Sequence, residues 1–185
     1  MNRIFIALWP DRSTAAAIEQ TIAPWAWPLD CRRYAPDDLH VTLHFIGSVT
    51  GERIDEIRDA LRVPFEPFAV SLDTPQRWPG GLAVLCPSAI PDALIGLHQR
   101  LGQPLREHHL PVSERELAPH VTLARRCNRV ELPAVCPPIA WLVQNYALVL
   151  STGDVRQRYV LLETYGACRA DGPQSSGIQT DASRH

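Results

Sequence analysis

The chain has 185 residues, 45% of them apolar and 21% charged, with a formal net charge of -2. That balance suits one globular domain, or two small lobes sharing a core, and lacks the run of ~20 apolar residues a membrane span needs. It also excludes a protein that grips nucleic acid by a broad basic surface, so any RNA or nucleotide must be recognised at a local site.

Residues 3 to 9, RIFIALW, are short, apolar and closed by Pro10, as a strand is. Asp11 and Arg12 follow with no small-residue cleavage site, which separates this run from a secretory leader. From Ser13, the spacing of Ala17, Ile18 and Ile22 predicts a helix ended by Pro24. Residues 39 to 46 read as a second strand. Thr50 is placed to cap a helix carrying Ile54, Ile57 and Leu61 on one face and stopped by Pro64. Residues 67 to 73 and 82 to 86 predict strands, with the turn residues Pro79, Gly80 and Gly81 between them. A longer helix from Asp92 to Glu107 places Leu94, Leu97, Leu101 and Leu105 together. Strands are then expected over 120 to 125, 141 to 150 and 156 to 164. Short strands alternating with helices and hairpins indicate a mixed α+β fold with antiparallel sheets. Residues 1 to 166 are expected to form a single domain, and 167 to 185, poor in apolar residues, a disordered tail. The five scattered cysteines include no C-x-x-C pair, so neither a disulfide framework nor a zinc knuckle is expected, and a reducing cytoplasm suits them.

One internal repeat stands out. HVTL occurs at His40 to Leu43 and again at His120 to Leu123, 80 residues apart. Along an extended strand side chains alternate, so each copy sends His and Thr to one face and Val and Leu to the other. If the two copies meet across a pseudo-twofold axis, two imidazoles and two hydroxyls converge on one cleft. Breaking a P–O bond requires one group to take a proton from the entering oxygen and another to give one to the leaving oxygen. Two histidines near neutral pH can hold opposite protonation states, and threonine hydroxyls can donate to the phosphate oxygens on which charge builds. No metal or cofactor is required by this scheme.

These residues resemble the RNA 2',3'-cyclic phosphodiesterases, also called 2'-5' RNA ligases, of the two-histidine phosphoesterase superfamily. RIFIALWPD is similar to the family's opening strand, APDDLHVTLHFIGSV to its first motif, APHVTLARR to its second and RYVLLETY to its closing strand. The resemblance implies a bilobal α+β fold of pseudo-twofold symmetry, with two antiparallel sheets flanked by helices and a central cleft. It implies no cofactor, and hydrolysis of a terminal 2',3'-cyclic phosphate to a 2'-phosphate. It assigns His40 as proton donor to the leaving 3'-oxygen, His120 as the base that activates water, and Thr42 and Thr122 as phosphate contacts. Phe45 and Arg125, each five residues after a motif histidine, match positions used for substrate contacts. Reverse 2'-5' ligation is implied as a secondary activity. The partners implied are RNA ends or nucleotides bearing the cyclic phosphate, and a monomer is expected.

Strict alternation puts Phe45 and Arg125 on the face opposite the histidines and favours Arg126 over Arg125; a bulge after each motif would reconcile them. Core packing is the alternative for Phe45. Alternation also places His44 on the His40 face, toward phosphate or solvent. Ala118 stands where relatives often carry a cation. A zinc site from His40, His44 and His120 is conceivable but leaves both threonines unexplained. His98 lies on the long helix, and His108 and His109 read as cations near its end. Trp25, Trp27, Trp78 and Trp141 read as core or lobe-interface residues, any of which at a cleft rim would stack on a base. The motif reads a phosphate rather than what hangs from it. Cleavage of a small cyclic nucleotide or a 2'-5' oligonucleotide, or nucleotide binding without turnover, are the rival functions.

Overall fold

The computed structural model describes residues 2–112 and 116–168. Strand β1 (Asn2–Leu8) leads into helix α1 (Arg12–Ile22), whose first turn is capped by the Asp11 carboxylate accepting from the Thr14 backbone N–H at 2.7 Å. A two-residue strand β2 (Arg32–Arg33) and a 3-10 turn (Pro36–Asp38) precede β3 (Val41–Val49), which carries the first motif. Helix α2 (Glu52–Ala60) follows. Its N-cap is Gly51 with no side-chain bond, so the expected Thr50 cap is not made; Thr50 serves through its carbonyl, which accepts from the Arg53 N–H at 3.2 Å. Strands β4 (Phe68–Leu72), β5 (Thr74–Trp78) and β6 (Leu82–Cys86) lead to helix α3 (Asp92–Glu107), where Leu94, Leu97, Leu101 and Leu105 are all buried. The second motif lies at the head of β7 (Val121–Arg125). The single strand expected over 141 to 150 is two, β8 (Ile139–Val143) and β9 (Asn145–Ser151), and β10 (Tyr159–Gly166) closes the order.

Two antiparallel sheets result, as expected. The larger has the order β10-β9-β1-β3-β7-β6-β5, with β2 on β7, and the smaller pairs β4 with β8. The arrangement at the middle of the larger sheet creates the cleft. Strands β3 and β7 share one register pair, Val41 opposite Val121, and then diverge. Two half-sheets, each carrying one motif, are therefore hinged at the residue that follows each motif histidine. Antiparallel pairing of the two equivalent valines is what a local twofold between the copies requires.

Alternation along β1 divides the interior. Ile4, Ile6 and Leu8 face the main core with α1, α3 and the smaller sheet, while Phe5 and Ala7 face a second cluster with Ala147 and Val149, against which Trp9 and Tyr159 pack. That second cluster underlies the cleft. At the end of the described chain, the backbone N–H groups of Ala167 and Cys168 bond the carbonyls of Gln144 and Phe65, each at 2.8 Å. The expected tail is thus tied down for its first two residues, and 169–185 lie outside the described residues. No described helix is long and apolar enough to cross a membrane.

Cys31 and Cys127 are joined as a disulfide, correcting the expectation of unpaired cysteines. Their separation of 96 residues hides a close approach: Arg32 pairs with Arg125, which brings the flanking cysteines to a Cα–Cα distance of 4.8 Å.

Candidate active site

The two motifs share one local geometry. Burial along β3 runs Val41 buried, Thr42 intermediate, Leu43 and His44 both buried, Phe45 exposed; along β7 it runs the same way through Val121, Thr122, Leu123, Ala124 and Arg125. Two consecutive buried residues break the period of two, and the ladders show why. The register skips Leu43 between β1 and β3 and Leu123 between β6 and β7, a β-bulge in each copy. Each bulge restores the fifth residue after the histidine to the cleft face. Phe45 and Arg125 therefore line the same cleft as His40, Thr42, His120 and Thr122, a cavity of about 650 Å³.

These bulges correct two readings from strict alternation, for Arg126 and His44, and set aside the core-packing alternative for Phe45. Phe45 is 72% exposed and is not packed in the core. Arg126 sits past the bulge at φ 60, outside β7, and does not line the cleft as Arg125 does. His44 is 1% exposed and faces the core, where its Nε2–H donates to the His98 carbonyl at 2.8 Å and its ring stacks on His98 at 4.1 Å. The three-histidine zinc set thus cannot form, since His44 is on the other side of the sheet. His108 is engaged by the Glu56 carboxylate at 2.9 Å. Trp141 is core, Trp25 and Trp27 pack together against the core, and Trp78 alone of those four lines the cleft.

Each motif histidine is held by the carbonyl two residues before it. Nδ1 of His40 lies 2.7 Å from the Asp38 oxygen, and Nδ1 of His120 lies 2.8 Å from the Ala118 oxygen. A carbonyl can only accept, so Nδ1 carries the proton in both rings and Nε2 is the nitrogen left for chemistry. The side chain of Ala118 adds no cation, but its backbone does this work whatever the side chain.

The surroundings of the two rings differ. Trp9 stacks flush on His40, with centroids 5.0 Å apart and planes 4° from parallel, while Phe5 at 5.1 Å and Tyr159 at 4.9 Å enclose it further. That burial pushes His40 down to about 4, against the raising effect of the Asp38 carbonyl; the nearby charges of His120 and Arg125 lower it further. His120 has Trp78 beside it at 4.2 Å and is lowered by burial, again opposed by its carbonyl bond. Both rings are therefore neutral in the free protein at neutral pH, and an entering phosphate supplies the charge that favours protonation.

Several cleft residues were not found from sequence. The guanidiniums of Arg125 and Arg158 both lie over the Tyr34 ring, at 5.4 and 5.2 Å, and Arg158 pairs with the Asp38 carboxylate at 3.3 Å. Burial raises Asp38 and Arg158 opposes it. Asp38 thus couples the Arg158 loop to the carbonyl that holds His40. Tyr34, Arg158 and Tyr159, which line the cleft, and Trp9, which backs His40, lie just after β2, just before and at the start of β10 and just after β1, and only strand pairing brings them to the motifs.

The chain matches the family model described as "2'-5' RNA ligase superfamily" over residues 10–154. It belongs to that superfamily. Among solved structures it is similar to one described as a phosphoesterase, at 26% identity and a TM-score of 0.82, covering 91% of this chain and 99% of the other. It is similar to E. coli LigT complexed with 3'-AMP at 26% identity and a TM-score of 0.81, with 91% and 99% covered. The MHV ns2 PDE domain, at 16% identity, a TM-score of 0.60 and 81% and 99% covered, shares the fold. LigT has also been crystallised with NADP+, with ATP and with phosphate. No curated protein matches the chain. The superfamily assignment agrees with the paired motifs and with the hinged sheet that joins them.

Proposed function

We propose that this member of the 2'-5' RNA ligase superfamily hydrolyses terminal 2',3'-cyclic phosphodiesters of RNA to 2'-phosphomonoesters, by acid/base catalysis that needs no metal. The observation carrying this reading is the Val41–Val121 pair, which faces two His-Thr sets into one cleft from a single chain, so that a monomer suffices. Nε2 of His120 takes the proton of a water molecule as its oxygen bonds to phosphorus. The P–O3' bond breaks in line on the other side, and Nε2 of His40 gives its proton to the leaving 3'-oxygen. The Thr42 and Thr122 hydroxyls donate to the non-bridging oxygens, whose charge grows in the transition state. Arg125 adds a cation and Phe45 an exposed aromatic face for the base. The phosphate stays on the 2'-oxygen because the 3'-oxygen is the one served by the acid.

Incubation of adenosine 2',3'-cyclic phosphate and of an oligonucleotide with the same terminus, in excess chelator, tests the proposal. The expected product is the 2'-phosphate on both. A 3'-phosphate product reverses the roles of the two rings, and absence of turnover defeats the proposal.

A further inference from the structure

The proposed reaction accounts for one phosphate, held by the two His-Thr sets, and for one base beside Phe45. The cleft is longer than that. Alternate residues of β1 share a face, so the cleft side of the strand runs from Ala7, opposite Thr42, through Phe5, opposite Phe45, to Arg3. Four residues of strand separate Ala7 from Arg3, about 13 Å at the usual rise. A nucleoside and the length of an arginine side chain together fill that span.

Arg3 is exposed and stands between two hydroxyl residues. It is opposite Ser48 of β3 on one side and Ser151 of β9 on the other, and residues directly opposite in antiparallel strands project to the same face. Arg3 and Ser151 both line the cleft. A guanidinium flanked by two hydroxyls is a set of donors suited to phosphate oxygens.

The charges of the cleft favour an anion at the same place. Of its three arginines, Arg158 is paired with the Asp38 carboxylate at 3.3 Å, and Arg125 lies on the strand of the second motif. The other cleft carboxylate, Asp154, accepts from the Arg156 backbone N–H at 2.8 Å. Among the described residues Arg3 has no ion-pair partner. Two cations are thus left for substrate, one beside the reacting phosphate and one beyond Phe5 and Phe45.

We infer that Arg3, with Ser48 and Ser151, forms a second anion subsite that takes the phosphate on the 5'-oxygen of the terminal nucleotide. The inference rests on the reading proposed above and narrows its substrate class. The preferred substrate carries a phosphate on both sides of its ribose, as an oligonucleotide end or a 5'-phosphorylated nucleotide does and a nucleoside 2',3'-cyclic phosphate does not. A net charge of -2 leaves this preference to a local cation.

The test compares adenosine 2',3'-cyclic phosphate, its 5'-phosphorylated form and 3'-5'-linked ApA ending in a 2',3'-cyclic phosphate, with wild type, Arg3→Gln and Arg3→Glu. Wild type is expected to show a kcat/KM at least about tenfold higher on the two substrates with a 5'-phosphate, chiefly through KM, as a charge-assisted contact made in ground and transition states alike does. Arg3→Gln is expected to lower kcat/KM for those two at least about tenfold further than for the nucleoside cyclic phosphate, and Arg3→Glu to widen that difference. Raised salt narrows the wild-type preference. A wild type indifferent to the 5'-phosphate, or an Arg3→Gln variant that loses equally on all three substrates, would overturn the subsite and leave the proposed function standing. A Glu variant no worse than Gln would show that charge is not what Arg3 supplies and would overturn it too. Absence of turnover on all three removes the proposed function with it.

Discussion

Titration of His40 follows directly from its enclosure by Phe5, Trp9 and Tyr159, which holds the free ring at about 4 against an ordinary value of 6.5. At pH 7, three units above that midpoint, only about one free molecule in 10³ carries the His40 proton, which at about 1.4 kcal/mol per unit costs roughly 4 kcal/mol. Because kcat/KM reports the free enzyme, it peaks between the midpoints of His40 and His120, both below 6.5, and falls about tenfold per unit from pH 6.5 to 8. Bound phosphate brings a negative charge beside both rings and raises them by about 1–3 units, so the alkaline limb of kcat lies at higher pH than that of kcat/KM. The stability sign is fixed by the same shift. The unfolded ring binds protons below 6.5 and the folded one does not until about 4, so this group's contribution, about 3 kcal/mol, is present above pH 6.5 and lost as pH falls toward 4. Nuclear magnetic resonance titration of the His40 ring, with and without 2'-AMP, measures the midpoints, and steady-state rates from pH 5 to 8 supply the profile. A free midpoint near 6.5, or kcat/KM constant from pH 6.5 to 8, refutes the reasoning.

Thr42→Val and Thr122→Val each remove one donor to the phosphate oxygens. Each lowers kcat on a cyclic nucleotide by about 10²; if KM rises instead with kcat unchanged, the threonines bind the ground state only. Phe45→Ala removes a largely exposed ring whose aromatic neighbour is Phe5, with centroids 6.1 Å apart, so KM for the cyclic nucleotide rises about tenfold with the unfolding midpoint little altered, and a large loss of stability instead would restore the core-packing reading. The Cys31–Cys127 link closes a separation of 96 residues, for which the chain-entropy account gives about 4–5 kcal/mol. Thermal unfolding with and without reductant checks this, and a Tm that reductant leaves unchanged shows that the link does not form in solution.

The alternation of HVTL was enough to expect two His-Thr pairs on strand faces, because any extended strand imposes it. The bulges were a different matter. Nothing in Leu43 or Leu123 distinguishes a bulged leucine from a regular one, and the skip is set by which partner residues the neighbouring strands present. Parity therefore misplaced His44 and favoured Arg126, while the family resemblance, which carries geometry through its motif spacing, pointed to Phe45 and Arg125. The division of 139–151 into β8 and β9 escaped the sequence for a related reason. β8 and β9 are parted by Gln144 alone, with Asn145 opening β9, so the break is a single residue with no Gly or Pro to mark it although the two strands join different sheets. The disulfide was invisible because it depends on the two-residue pairing of β2 with β7.

The central claim is that both histidines act in one reaction at one phosphorus, and the most direct measurement is hydrolysis of a 2',3'-cyclic nucleotide by His40→Ala, His120→Ala and the double variant. The account predicts a loss of about 10² or more in kcat for each single change, and a double variant hardly slower than either, because groups that act as a unit are not additive. Losses that multiply in the double variant, or a single variant that keeps wild-type turnover, would contradict it.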